Sequence, residues 1–532
     1  MNKSMLSLGV AAFVAFAGMT HAAELIPVNL DGTNEGYNDP AARAPEGGNP
    51  GTTIGAQRQI VALFAADLWG TILVSDVPVY IGAQFNPLAP NVLGSAGATQ
   101  IWSDHPNFPF QGTWYSAALA DALAKEDLQP NAIDINSRFS SDFAFYYGLD
   151  GTTPAGQLSF LDVVMHEFGH GLGFQNFEDE GSGQFTSGIP DVYSQFTYDN
   201  TQGAFWPSMT VAQRAASGVN YGKVVFTGEN TVHGAALLLD PRIAFRVTTG
   251  GATGEYSYGT ASFGAPVTPT NFNGTAVVGF DAANAAGPST TDGCTAITAD
   301  VVGKIAIVDR GTCGFAVKAA NIQAAGGIGM IVANNAAGNQ PPGMGGSDPN
   351  VTIPAISVTQ ADGNLLKANA PFTVAFVVDN TKLQGADDAG RPRLFMPQPV
   401  QPGSSGSHFD TDLSPNAVME PAINDSLNAA MFLDMSAALL KDTGWKLNEG
   451  NAKIAGCDTG IKVIDDAGLI VGANVVATSN LFLATSPDKA TYQNKMSLYK
   501  DRLVASGFIT GKQGGKMMAC SAKVPAAKIG NP

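Results

Sequence analysis

Apolar residues first recur at helical spacing over residues 54–73, where Ile60, Val61, Phe64, Leu68 and Trp69 return every three or four positions. The pattern then predicts a strand over 77–81, an Ala-rich helix over 115–125, and short strands at 133–135 and 143–146. A Gly-containing loop over 148–156 leads into a further helix expected at 158–172. Upstream, residues 23–50 are polar, rich in Gly and Pro, and aperiodic, so they read as an extended start. Residues 206–240 give no clear period. From 244 to 379 the texture shifts to Gly, Ala, Val and Thr, with short strands predicted at 304–308, 329–332 and 372–378. Residues 424–442 are predicted helical, and the tail carries a helix near 492–506.

A chain of 532 residues exceeds one core, so two to four domains are expected. A net charge of −17 gives no electrostatic gain on nucleic acid or an anionic membrane, so neither is expected as a partner. Lys3, an apolar run over 5–19 and the small-x-small site Thr20-His21-Ala22 predict a secretory signal peptide over 1–22. The expected location is therefore periplasmic or secreted, without a membrane span. Four cysteines suit an oxidising compartment. Of three possible pairings, order along the chain favours Cys294–Cys313 and Cys457–Cys520. A zinc–thiolate site is disfavoured because no CxxC pair exists.

The chemistry concentrates in His166-Glu167-Phe168-Gly169-His170. Residues four apart share a helix face, so His166 and His170 can offer two imidazole nitrogens to one zinc ion. Glu167 beside them can take a proton from a water that attacks a peptide carbonyl, and return it to the leaving amine. Phe160, Leu161, Val163, Val164, Met165, Phe168 and Leu172 make the rest of the helix apolar. Buried polar groups in such company need partners. Gly169, Gly171 and Gly173 fit a helix that ends sharply and passes close to another element.

Two histidines leave a zinc site incomplete. The extended pattern HExxHxxGxxH would place its third His at residue 176, which is Asn176. Glu178 and Glu180 lie on a polar loop, which keeps open a plan with a Glu ligand. Of the remaining histidines beyond the signal peptide, His105 and His233 stand in no motif and read as local structural residues. His408 stands in Gly406-Ser407-His408, and Met419 follows eleven residues later in Met419-Glu420-Pro421. The HExxHxLGF helix, the distant Gly-Ser-His and the Met-x-Pro turn resemble the leishmanolysin-like branch of the metzincin peptidases. That resemblance implies His408 as third zinc ligand and Met419 as an apolar floor beneath the metal. The size of the insertion between His170 and His408 departs from that family. Loop closure tolerates it, because each doubling of length costs only about 0.6 kcal/mol.

Gly303 to Gly311, Cys313 to Lys318, Ala324 to Asn334 and Ile353-Pro354-Ala355-Ile356-Ser357 resemble a protease-associated (PA) domain, implying a binding or gating module. The expected fold is α+β: a metzincin-type zincin catalytic domain, built from residues 23–239 and 386–446. A β-rich α/β PA domain at 240–385 splits it, and a small disulfide-linked region follows at 447–532. The expected function is that of a zinc metalloendopeptidase acting on protein or peptide substrates. A non-catalytic secreted binding protein is the reading from a different class. The acidic stretches at 178–180 and 379–388 are open to calcium, with solvated loop charge as the expectation.

Overall fold

The computed structural model describes residues 22–285, 287–423 and 426–530, so nearly all of the expected signal peptide lies outside the described residues. The architecture is mixed α/β. A four-stranded sheet contains β1 (Leu25–Asn29), β2 (Val79–Asn86), β3 (Gly94–Ala98) and β4 (Ile135–Ser140), in the spatial order β1-β2-β4-β3. The first three in that order run parallel, and β3 closes the sheet as an antiparallel edge. Helix α1 (Ile54–Ile72) begins where Thr53 Oγ1 accepts the Ala56 N–H. Helix α2 (Phe160–Gly171) carries the HExxH motif and begins at Ser159, whose Oγ accepts the Asp162 N–H. Trp69 of α1 donates its indole N–H to the Met165 carbonyl at 3.1 Å, which fixes the two helices against each other.

After residue 240 a second sheet forms. Its strands are β5 (Pro241–Val247), β6 (Gly254–Tyr256), β7 (Gly259–Thr260), β8 (Asn273–Val278), β9 (Ile305–Asp309), β10 (Gly329–Ala333), β11 (Ala355–Val358) and β12 (Phe372–Leu383). Their order is β6-β5-β12-β8-β9-β10-β11-β7, with β8 to β11 parallel. Helices α3 (Phe315–Ala324) and α4 (Gln360–Ala368) supply crossovers. The first long strand, β5, pairs antiparallel with the last, β12, so the unit enters and leaves at one place. Asp240 closes that neck, donating its N–H to Ser414 and accepting from Gln384 N.

The hydrophobic residues sort into separate cores. The largest joins Trp69, Phe139, Phe160 and Phe168 with Phe409, Met419, Leu439 and Ala473, from both sides of the second sheet in sequence. That sheet packs its own two faces around Phe245, Phe272 and Ile307, and around Ala306, Val308 and Ile322. Helix α5 (Ser436–Thr443) belongs to the large core. The tail adds a hairpin, β13 (Asn451–Ile454) and β14 (Cys457–Lys462), then α6 (Val471–Thr485), α7 (Lys489–Ala505) and α8 (Gly511–Ala522). Disulfides link Cys294 to Cys313 and Cys457 to Cys520. No described helix is long and apolar enough to cross a membrane.

Three expectations need correction. Of the helix predicted over 424–442, residues 424–425 lie outside the described residues, and the rest is helical only at Ser436–Thr443. Upstream backbone groups go to tertiary partners instead. Ala429 N donates to Asp162, Leu433 N to Gly468, and Asp434 adopts φ of +44°. Docking against α2 overrides local helix propensity there. Second, residues 25–29 are a sheet strand, with Ala23 and Leu25 buried; their short run gave no alternation long enough to read. Third, the acidic stretches are solvated only in part: Asp179 and Asp388 are exposed, as expected. Glu178 is buried against Asp191 and Ser194, and Asp387 and Asp388 pair with Arg391 and Lys382.

Candidate metal centre

Helix α2 is held along its whole length. Asp162 in its first turn accepts the Ala429 N–H at 2.9 Å, and Trp445 Nε1 donates to the Leu172 carbonyl at its end at 2.7 Å. The glycines do what their spacing suggested. A Cβ on Gly169 would stand 2.7 Å from Met419 Sδ, and one on Gly171 would stand 2.2 Å from Ile135 Cγ2. Gly173 turns the chain away at φ of +120°, a value that favours glycine.

On this helix His166 and His170 lie one turn apart, and His408 reaches them from a distant hairpin. Their Nε2 atoms form a near-equilateral triangle with sides of 3.0, 3.1 and 3.2 Å. Each ring turns its other nitrogen to a backbone carbonyl. His166 Nδ1 donates to Val418 at 2.7 Å, His170 Nδ1 to Phe174 at 2.8 Å, and His408 Nδ1 to Ser404 at 2.8 Å. A carbonyl only accepts, so each Nδ1 carries the proton and each neutral Nε2 presents a lone pair. Burial pushes His166 down to about 4. Burial and then the neighbouring ring push His170 down to about 3, and His408 is driven in the same direction.

Three lone pairs converging without a proton repel unless a cation sits among them. A tetrahedral ion with ligands at about 2.0–2.1 Å spaces those ligands roughly 3.3 Å apart, close to this triangle. The donor set therefore fits zinc. Among the described residues these histidines are the one group of three or more His, Cys, Asp or Glu able to share an ion. His105 instead faces Glu126 at 3.4 Å and packs on Phe108, and His233 lies on the separate helix Glu229–Leu238. Glu178 and Glu180 stay outside the triangle. Burial, followed by Asp191, raises the carboxyl of Glu178, and burial raises that of Glu180 to about 7 while Asn176 bonds to it.

Glu167 is buried beside the triangle. Gly94 on edge strand β3 leaves it room, since a Cβ there would come within 2.5 Å of Glu167 Oε1. Burial lifts the Glu167 carboxyl to about 8, against the pull of the Ala96 N–H, and its Oε2 has no hydrogen-bond partner. Met419 is fully buried under Gly169, and its carbonyl accepts from Phe409 N at 2.9 Å.

The residues that hold this arrangement carried no motif. Asp434 accepts the Val418 N–H at 2.6 Å and so fixes the turn whose carbonyl orients His166. Asn176 has another use. Its N–H donates to Ser407 Oγ at 3.2 Å, and Ser407 Oγ donates back to Asn176 Oδ1 at 2.9 Å. The residue that departs from the extended pattern thus pins the hairpin that delivers His408.

The family model for the PA domain matches residues 272–366. The second sheet therefore carries a PA domain. Short stretches also resemble curated proteins. The ER degradation-enhancing alpha-mannosidase-like protein 3 of Xenopus laevis is 40% identical over 84 residues, 14% of this chain and 9% of that protein. The C5a peptidase of Streptococcus pyogenes serotype M3 is 40% identical over 78 residues, 14% of this chain and 6% of its own length. The minor extracellular protease Vpr of Bacillus subtilis is 39% identical over 67 residues, 13% of this chain and 8% of that protein. The chain thus spans less than a tenth of each of these relatives. Their names cover a mannosidase-like protein and peptidases, so the matches alone assign no reaction. Among solved structures, the zinc aminopeptidase BSAP from Bacillus subtilis aligns at a TM-score of 0.19 and 22% identity, over 28% of this chain and 36% of that one. The subtilisin-like protease Apa1 from Pseudoalteromonas sp. AS-11 aligns at a TM-score of 0.19 and 18% identity, over 27% and 34%. At that score neither alignment bears on the catalytic chemistry.

Proposed function

We propose that this chain is a secreted or periplasmic zinc-dependent endopeptidase of the leishmanolysin-like metzincin type. The observation that carries the reading is the triangle of three unprotonated Nε2 atoms, each ring locked by its Nδ1–H, with a buried, unpartnered carboxyl oxygen of Glu167 on the same helix. His166, His170 and His408 would hold the ion. Bound zinc supplies Lewis acidity, which acidifies water and polarises a peptide carbonyl. Glu167 receives the proton of the attacking water and delivers it to the departing amine. Met419 closes the space beneath the histidines. In this reading residues 23–239 and 386–446 form one catalytic domain, with the PA domain inserted at 240–385 and a C-terminal region at 447–532. The two disulfides suit an oxidising compartment.

The test combines metal analysis with casein hydrolysis, with and without a chelator. One zinc per chain, and activity lost to the chelator and restored by zinc, are expected. Glu167→Gln should bind zinc and lose activity; full activity in that variant would sink the mechanism. A His408→Ala protein that retained zinc like the wild type would remove His408 from the ligand set.

A further inference from the structure

His408 sits on a hairpin that runs from Leu394 to Phe409, residues bridged antiparallel to each other. Its stem is well tied: Phe395 N donates to the His408 carbonyl at 3.0 Å and Gly406 N to the Phe395 carbonyl at 2.9 Å. Ser407 is pinned to Asn176. The tip is built differently. Ser404 and Ser405 N–H groups both turn back to the Gln401 carbonyl, and Gln401 N donates to Ser405 Oγ. Those bonds shape the tip internally, and Ser404 at its end supplies the carbonyl that orients His408. Among the described residues, the segment 397–403 makes one hydrogen bond to another part of the chain. Gln398 N donates to Asn339 Oδ1 at 3.1 Å.

Asn339 belongs to the PA domain, on the loop between β10 and β11. Its other amide atom, Nδ2, donates to the Val219 carbonyl at 2.5 Å, in the body of the molecule. The neighbouring Gly338 lies close enough that a Cβ there would stand 3.2 Å from the Gln398 carbonyl. One primary amide therefore spans three segments: the PA loop, the body before β5 and the tip of the hairpin. A primary amide is suited to that, with an acceptor on one side and donors on the other.

We infer that Asn339 is a positioning residue through which the PA domain holds the third-ligand hairpin, so that the insert sets how firmly His408 stays in the metal centre. The inference rests on the zinc reading above. It gives the insert a part in the metal centre itself. A shift of the PA loop, such as one caused by an occupant of that domain, reaches Ser404 and His408 through six residues of hairpin tip.

The experiment uses the full-length chain. Zinc release into excess chromophoric chelator is timed for wild type, Asn339→Ala and Asn339→Asp, and hydrogen exchange is followed in the metal-free proteins. Asn339→Ala loses both bonds, whereas Asn339→Asp keeps an acceptor for Gln398 N and loses the donor to Val219. Loss of one or two such bonds predicts about three- to tenfold faster release from Asn339→Ala. An intermediate rate is expected from Asn339→Asp, with faster exchange confined to residues 398–408. Release and exchange equal to wild type overturn the inference. So does faster release with protection lost evenly over the chain, which is what a merely structural role gives. Wild-type protein that takes up no zinc overturns the metal-centre reading and this inference together. Zinc-loaded wild type with an unaltered Asn339→Ala overturns this inference alone.

Discussion

Glu420 follows the buried Met419 and is itself 3% exposed, with Oε1 accepting the Ala417 N–H at 2.8 Å. Burial, followed by the carboxylates of Asp434, Asp410 and Asp412, pushes its carboxyl from 4.5 up to about 9. The folded protein therefore keeps this proton at neutral pH, while the unfolded chain releases it above pH 4.5. Holding a proton that the unfolded chain has given up costs folding free energy. At pH 7 the gap from 4.5 spans 2.5 units, which at about 1.4 kcal/mol per unit amounts to about 3 kcal/mol. Glu420→Gln keeps an oxygen for Ala417 N and a donor where the acid proton would be, so it mimics the neutral acid without titrating. The two proteins should be equally stable near pH 4.5. The variant should gain on the wild type as pH rises, reaching an advantage of about 3 kcal/mol at pH 7. Tryptophan fluorescence during urea unfolding is the assay. All five tryptophans lie outside the PA insert, at 69, 102, 114, 206 and 445, so the signal is blind to that domain. A stability difference that stayed constant from about pH 5 to about pH 8 would refute the argument, as would a variant that unfolds first at pH 7.

Gly171→Ala forces a methyl group onto the branched Ile135 side chain at 2.2 Å and should destabilise by about 1–3 kcal/mol in thermal unfolding. Gly169→Ala meets the movable Met419 sulfur instead and should lose less. Trp445→Phe keeps most of the ring but strips the Leu172 carbonyl of its donor, so the urea midpoint should fall by the equivalent of about 1–3 kcal/mol. In the PA domain, fully buried Lys318 donates to the Asp292 and Gly311 carbonyls beside the Cys294–Cys313 disulfide. Lys318→Met orphans the Asp292 carbonyl and leaves that of Gly311 with the Cys313 N–H alone, and hydrogen exchange should quicken over residues 292–313 while the α2 helix keeps its protection.

The motif helix was legible because chemistry and periodicity coincide in it: beyond Asp162 in the first turn, His166, Glu167 and His170 are the polar positions of an apolar run. His408 was legible through its Gly-Ser context and its interval to Met419, and the structure brings its ring to the other two. What locks those rings was not legible. Val418, Phe174 and Ser404 contribute carbonyls, which every residue has, so no side-chain signal marks them. Asn176 was visible only as a missing ligand, and its bond to Ser407 depends on a contact across 231 positions of chain. The helix expected across 424–442 failed for a related reason. Ala437, Ala438, Leu439 and Leu440 do form α5, but Asp434 caps the Val418 and Ser436 amides instead of continuing a helix upstream. Glu178 sits in a stretch that looks like surface, and only the fold shows Asp191 and Ser194 closing over it.

The three carbonyls that anchor the rings belong to the main chain. Replacing Val418, Phe174 or Ser404 with another residue leaves each acceptor in place, because the side chain is not what accepts. Ring orientation is therefore insulated from substitution at those positions and exposed instead to anything that moves the backbone there. Selection can vary the chemistry surrounding the triangle freely while its geometry survives. The sensitive positions lie one step out, at the side chains that hold those peptide segments still.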